Sequence, residues 1–203
     1  MSTLDQFIAE RISKPLGLSD TGFYVAADRL GRLAEPQADP VTGIRPPVSD
    51  VTRKPNWPSG GGGMVSTASD YARFSQMLLN GGELDGVRVL SPRIVAYMTA
   101  DHLPPDIAYS PAALQIFAPL ALAPTPRLGQ SFGLGFMIRT QAGRNPLPGS
   151  RGEFFWNGIW GTAFWVDPRE KLVAVLMLQL PPTRGPHYRS LLHSLVYQAL
   201  IDR

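Results

Sequence analysis

The sequence predicts an α+β fold: an antiparallel sheet of carboxy-terminal strands packed on a carboxy-terminal helix, with part of a helical, loop-rich region before it. Three observations point there. Strand-like segments follow one another over 132–179 with only short turns between them, which antiparallel neighbours allow and parallel ones do not. Apolar residues at helical spacing occur near both ends and around 67–80. Helices and strands do not alternate, as a parallel sheet would require.

Residues 3–14 read as a helix with Leu4, Phe7, Ile8 and Ile12 on one face. Ser2 with Asp5 offers a capping-box-like start, and Pro15-Leu16-Gly17 ends it. Six prolines between Asp28 and Ser59 with little periodicity predict a long ordered loop. Thr67 suits an N-cap, with Asp70 well placed against the helix dipole. Tyr71, Phe74, Ser75 and Leu78 then share a face, and Gly81-Gly82 supplies the stop. Leu84-Asp85-Gly86-Val87 signals a small hairpin, and Ser91-Pro92 opens a short helix through Met98. Residues 112–123 are oily without clean periodicity, fit either to cover a cleft or to pack.

FGLGFMIR (132–139) alternates, which predicts a strand with Phe132, Leu134, Phe136 and Ile138 on one side. Three further strands are expected at about 152–158, 161–167 and 172–179, with LVAVLMLQ buried on both faces. A last helix over about 187–202 offers Tyr188, Leu191, Leu192, Leu195 and Leu200 as its apolar face.

Composition narrows the functions. Apolar residues at 44% against 17% charged make a globular chain and not a disordered one. The net charge of +3 comes from scattered basic residues with no Lys/Arg run, which argues against nucleic-acid partners. The absence of cysteine excludes disulfides, thiol catalysis and cysteine zinc sites. MSTLDQFIAE has neither a basic nor an apolar leader region, so no signal peptide is expected and a cytoplasmic location is the default. No apolar run reaches membrane-spanning length.

Several local patterns carry little chemistry. Gly60 to Gly63 lack the Lys-Ser/Thr pair of a phosphate loop, since Met64-Val65 follow. His102, His187 and His193 are too scattered to share a metal, and read as surface or capping residues; neither metal nor cofactor is expected. Glu153 and Asp167 bracket aromatic strands, but Asp167 is explained as the first residue of an Asp-Pro turn. No Gly-x-Ser-x-Gly elbow occurs.

FFWNGIWGTAFWVDP (154–168) raises a sharper question. Glycine weakens strands, so Gly158 and Gly161 mark either a bulge or a close approach to the backbone.

Three ordered stretches carry a family resemblance. PLGLSDTGF (15–23), SGGGGMVSTASDYARFSQMLLNGGELDGVRVLS (59–91) and GEFFWNGIWGTAFWVDPREKLVAVLMLQ (152–179) resemble the serine β-lactamase-related family. That family includes class C β-lactamases, penicillin-binding peptidases and family VIII carboxylesterases, and Trp156-Asn157-Gly158 resembles the esterase branch more than the Lys-Thr-Gly of the lactamases. The resemblance implies a β-lactamase/transpeptidase-like fold and acyl transfer through a serine acyl-enzyme. It also implies substrate-binding roles for Trp156, Asn157, Gly158 and Ile159. The Ile159 amide would serve as a strand oxyanion donor, and Gly158 would leave room for an acyl group along the strand.

The reactive residues of that family do not occur. No serine in the chain has lysine three residues on, and no tyrosine has asparagine two residues on. Ser13-Lys14 has the wrong spacing, and Tyr188-Arg189-Ser190 falls after the third box, where the family's order forbids a base. The chain therefore reads as one incomplete domain, 1–203, helical and loop-rich over 1–131, with the sheet and closing helix over 132–203. The expectation is the carboxy-terminal part of an esterase-like hydrolase, from a truncated reading frame or a split protein, inactive alone. Completed by the missing amino-terminal half, it would take a small ester or amide. The alternatives are a non-catalytic binding or interaction module derived from the fold, and an unrelated α+β binding protein. The missing strands would leave a sheet edge exposed, which invites self-association.

Overall fold

The computed structural model describes residues 2–45, 47–104, 106–117 and 124–201. The first helical stretch runs as α1 (Leu4–Ile8), a π-helical turn (Ala9–Ser13) and α2 (Lys14–Leu16). Its cap is Thr3, not Ser2: the Gln6 side chain accepts from the Thr3 N–H at 3.1 Å. Pro15 does not end the helix as its type suggests. The ring would strike the carbonyl one turn back, and the wider π turn, in which the Lys14 N–H reaches the Ala9 carbonyl, gives it room. Gly17 at φ 67° then makes the left-handed stop.

The segment after Ala26 is a 3-10 turn (Ala27–Arg32) followed by ordered irregular chain. It is closed on itself by Val25 N–H to the Val51 carbonyl at 2.7 Å and tied at its middle by Gln37 N–H to the Gln179 carbonyl at 3.0 Å. Helix α3 (Ala68–Leu79) begins at Thr67, whose hydroxyl accepts from the Asp70 N–H at 3.2 Å. It ends at Gly81 and Gly82, both at positive φ, and a Cβ on Gly82 would lie 2.2 Å from the Leu90 carbonyl. The short hairpin β1 (Glu83–Leu84) and β2 (Val87–Arg88) turns through Asp85 and Gly86 at φ 51° and 77°, the signature of a type I′ turn. Helix α4 (Pro92–Met98) is capped by Ser91, and α5 covers Pro111–Phe117. Of the oily stretch predicted over 112–123, residues 118–123 lie outside the described residues.

The main sheet is antiparallel in the order β3 (Gln130–Phe132), β4 (Met137–Arg139), β5 (Phe154–Asn157), β6 (Ala163–Asp167), β7 (Leu172–Leu176). FGLGFMIR is thus two strands and a turn, not one strand. Gly133 permits the turn because a Cβ there would lie 2.2 Å from the Met98 carbonyl, and Gly135 sits at φ 96°. Leu134 is accordingly exposed while Phe136 is buried. Strand β7 is half-buried along its length, not buried on both faces, because it is the sheet's last strand and pairs only with β6 among the described residues.

Strand alternation divides the molecule. Phe136, Ile138, Phe154, Phe164 and Val166 point to the α3 side and join Met77, Leu78, Leu16, Leu18 and Val95 in the core. Each such side chain contributes roughly 1.5–3 kcal/mol on burial. The other face carries Met137, Arg139, Glu153, Phe155, Trp165 and Asp167 in register across β4, β5 and β6. Helix α6 (Gly185–Gln198) covers it, but not with the apolar stripe the spacing predicts. Arg189 and His193 are buried and Tyr197 reaches the sheet, whereas Tyr188, Leu191, Leu195 and Leu200 are exposed.

Candidate functional site

The hairpin between β5 and β6 brings the four residues Trp156 to Ile159 to its tip. Gly161 donates to the Gly158 carbonyl at 3.1 Å and Gly158 donates to the Thr162 carbonyl at 2.8 Å. With Gly161 at φ 99°, this is a three-residue loop closed by a glycine bulge. Gly161 is therefore a turn residue. It also abuts the start of α6: a Cβ on Gly185 would lie 2.9 Å from the Gly161 Cα.

Gly158 has a local reason of its own. A Cβ there would stand 2.0 Å from the Thr162 hydroxyl across the hairpin. This contact is enough to explain the glycine without any ligand, and it is independent of whether an acyl group also lies there.

The four residues do not share one surface. Trp156 and Gly158 line a cleft of about 720 Å³ on the α3 side of the sheet, bounded also by α1, residues 19–26, Val65 and Tyr71. Asn157 points the other way, as its place in the strand requires, and lines a smaller cavity of about 240 Å³ beneath α6. Ile159 stands 46% exposed at the hairpin tip. Trp156 is held by its edge-to-face contact with Phe132, ring centroids 5.4 Å apart.

The charged groups of the large cleft are already matched. Lys54 lies 2.7 Å from Asp5, and hydrogen bonds from Lys54 and Thr3 hold the Asp5 carboxyl down at about 2. The same contact pushes the Lys54 ammonium up, so it stays charged and cannot act as a base. Asp20 is held low by Arg32, with Arg29 also at 2.6 Å. Tyr71 packs on Phe164, centroids 5.0 Å apart, and burial raises its hydroxyl to about 12, the wrong direction for a general base. Ser66 shares a hydrogen bond with Thr21 at 2.8 Å, and Ser13 is buried with no partner for its hydroxyl. Neither of these two hydroxyls, therefore, has a base as its direct hydrogen-bond partner.

Sequence reasoning missed two features. Asp70 is more than a dipole partner: it is buried and accepts from the Asp20 N–H and the Thr21 hydroxyl, both at 2.8 Å, fixing the loop that walls the cleft. The second is the polar layer under α6. Arg139 donates to the Leu147 and Pro148 carbonyls at 2.9 Å and pairs with Glu153 at 3.4 Å. His193 lies 3.3 Å from Glu153, and the Tyr197 hydroxyl reaches Glu153 at 3.0 Å and Asp167 at 2.7 Å. Burial and the two carboxylates push the Tyr197 hydroxyl far up. His193 is thus a buried network member, against the expected surface or capping role. Asp167 keeps its turn role, accepting from the Arg169 and Glu170 N–H groups, and adds the Ser150 N–H and Tyr197. The i, i+4, i+8 spacing of Arg189, His193 and Tyr197 was the available signal, hidden by a more apolar stripe on the same helix.

With the fold and cleft described, comparison identifies the group. The β-lactamase family profile matches residues 2–197, and the chain belongs to that family. Protein Rv1367c of Mycobacterium tuberculosis is 37% identical over 185 residues, covering 88% of this chain and 44% of that protein. The human putative beta-lactamase-like 1 is 29% identical over 181 residues, covering 89% of this chain and 30% of that one. Among solved structures, EstCE1, described as a hydrolase with promiscuous acyltransferase activity, superimposes with a TM-score of 0.74 at 24% identity, covering 96% of this chain and 50% of its own. Unliganded simvastatin synthase LovD from Aspergillus terreus gives 0.70 at 24% identity, over 97% of this chain and 49% of that one. These likenesses show the β-lactamase/transpeptidase-like fold. The chain spans about half the length of these structural neighbours and less than half of the relatives.

Proposed function

We propose that this chain is the sheet-bearing half of an esterase-like serine acyl hydrolase, and that it does not turn over substrate alone. The observation that carries the reading is the 720 Å³ cleft ending at Trp156 and Gly158. It has one wall of the expected site, and each of its charged groups is already held in an ion pair, Lys54 with Asp5 and both Arg29 and Arg32 with Asp20. In this reading the cleft seats the segment that bears the family's Ser-x-x-Lys, and the strand end at Gly158 and Ile159 faces the acyl carbon. An oxyanion donor without a nucleophile has no tetrahedral intermediate to stabilise, so hydrolysis waits on the other half.

Neutral esters fit better than β-lactams. Tryptophan stands where the lactamases have a lysine, so the box lacks a cation for a substrate carboxylate. The outer edge of β7 would pair with strands of the complementary half; without them, copies of the chain associate through it.

The test is hydrolysis of p-nitrophenyl acetate by the 203-residue chain. The expected result is no saturable activity above buffer. Saturable hydrolysis abolished by changing one serine, Ser13 or Ser66 first, would overturn the claim that the nucleophile lies elsewhere. A module that only binds is separated by complementation: it would stay inert when an amino-terminal segment with Ser-x-x-Lys and Tyr-x-Asn is added.

A further inference from the structure

Helix α6 lies over β5 and β6. His193 and Tyr197 reach Glu153 at 3.3 and 3.0 Å, Tyr197 reaches Asp167 at 2.7 Å, and the His193 ring stands 4.6 Å from that of Trp165. The two flanks of the helix differ. At about 100° per residue, Ser190 turns to one side of this inward line, and Tyr188, Leu192 and Leu195 turn to the other. Ser190 lines the 240 Å³ cavity together with Leu128, Gln130 and Met137, so its flank faces β3 and β4. The opposite flank therefore faces β7 and the sheet edge beyond it. It is apolar and open, with Tyr188 39% and Leu195 52% exposed and Leu191 beside them at 48%.

The floor on that side is apolar too. Leu172, Ala174 and Leu176 pair with Asp167, Trp165 and Ala163, which puts them on the α6 face of β7, and each is only half-buried. Helix flank and strand face form one trough, open at the edge where β7 has no neighbour among the described residues. Spacing decides what fits it. Strands lie about 4.8 Å apart and packed helices about 8–10 Å, so a helix against α6 falls two strands on, over β7 and the strand after it. A second copy paired through β7 does not supply that helix. Its own α6 would stand four strand spacings away, about 19 Å, and both stripes would stay bare. Nor can the stripe hold a copy by itself, since a stable interface takes roughly 800 Å² from each partner and three half-exposed side chains fall far short.

We propose that the trough seats an amphipathic helix of the complementary half, joined to the strand that extends the sheet at β7. The helix lays apolar residues against Tyr188, Leu192 and Leu195 on one side and Leu172 and Leu176 below, and turns polar ones outward. The inference rests on the reading of this chain as half of a hydrolase and names which element of the other half meets α6. The chain covers 44% of Protein Rv1367c and 50% of EstCE1, which leaves length for such a unit.

The probe is the part of Protein Rv1367c outside its match to this chain, co-expressed with the 203-residue chain. The chain has no cysteine, so a solvent-sensitive fluorophore on Leu195→Cys reports on the stripe alone. In the complex its emission moves to the blue and iodide no longer quenches it; when the chain self-associates at high concentration neither changes. Tyr188→Glu with Leu195→Lys, charges that suit their ends of the helix, leaves unfolding and self-association as they were and weakens the complex about a hundredfold. Leu195→Met keeps the affinity. No complex, a complex whose label stays exposed, or full affinity in the double variant overturns the proposal. Turnover of p-nitrophenyl acetate is read separately. Turnover from a complex with an exposed label defeats the trough and spares the hydrolase reading; a covered label without turnover upholds the trough and counts against acyl transfer.

Discussion

The two faces of the sheet are built from alternate residues of the same strands and follow opposite rules. Toward α3, Phe154, Phe164 and Val166 pack with Met77 and Leu78 in an apolar core. Toward α6, the next residues along, Glu153 and Asp167, are equally buried but join a network of ion pairs and hydrogen bonds, and Trp165 lies against the His193 ring. The first face tolerates changes that keep volume and apolarity; the second depends on every polar group keeping its partner. The difference also separates duties. The apolar face carries the cleft wall at Trp156 and Gly158, and the polar face anchors the hairpin that presents it, through Glu153 at the root of β5 and Gly185 against Gly161 at the tip.

Breaking the polar layer should show the largest effect. Glu153→Ala leaves the Arg139 guanidinium buried beside nothing but carbonyls, and urea denaturation should register a loss of about 3–5 kcal/mol. Adding Arg139→Ala should cost less than the sum of the two single changes, because the pair is lost together. If the double variant is fully additive, the two side chains do not act as a unit.

A smaller effect contrasts the two sides of α6. Tyr197→Phe removes the hydroxyl that reaches both Glu153 and Asp167 and should cost about 1–3 kcal/mol. Leu195→Ala on the exposed stripe should stay within about 0.5 kcal/mol in the isolated chain. Equal losses by thermal or chemical unfolding would mean the exposed stripe is covered by another copy in solution.

Tyr71 sharpens the apolar side. Its folded-state value is raised from 10.0 to about 12 by burial, so its contribution is complete below pH 10 and lost as pH rises toward 12. The loss should amount to roughly 2 kcal/mol and shrink in Tyr71→Phe. Alkaline titration of stability in the two proteins reads it directly. The mirror case at the cleft rim is Asp5. Its value is depressed from 3.8 to about 2, so its stabilisation is present above pH 3.8 and fades as pH falls to 2. Asp5→Asn should flatten that part of the melting-temperature profile slightly, and salt should shrink the difference.

What the sequence made legible follows from the range of the interactions. Thr67, Ser91 and Asp85-Gly86 announce caps and a turn because the groups they serve lie within four residues. The sheet's existence and sense were equally readable from alternation and short turns. The reading failed where distant partners decide. FGLGFMIR alternates like one strand, but Gly133 must clear the Met98 carbonyl 35 residues before it. The buried face of α6 is chosen by the carboxylates of Glu153 and Asp167, and the polar i, i+4, i+8 stripe that meets them is masked within the helix by a more apolar one. At the candidate site, the residue types of Trp156 to Ile159 were legible, but not that Asn157 opens onto a different cavity, nor that Thr162 gives Gly158 a purpose of its own.

The central claim, that the Gly158 end of β5 is one wall of an acyl-transfer site completed by another half, is tested most directly by complementation. The chain is mixed with an amino-terminal segment carrying Ser-x-x-Lys and Tyr-x-Asn, and turnover of p-nitrophenyl acetate is measured. Thr162→Ala is made first, to clear the hydroxyl that a side chain at 158 would strike, and Gly158→Val is added to that background. The account predicts activity from the mixture, none from either part, retention in Thr162→Ala, and a loss of about a hundredfold with Gly158→Val as the substrate is displaced from the strand. Unchanged turnover in the Gly158→Val pair, with association of the halves intact, would contradict it.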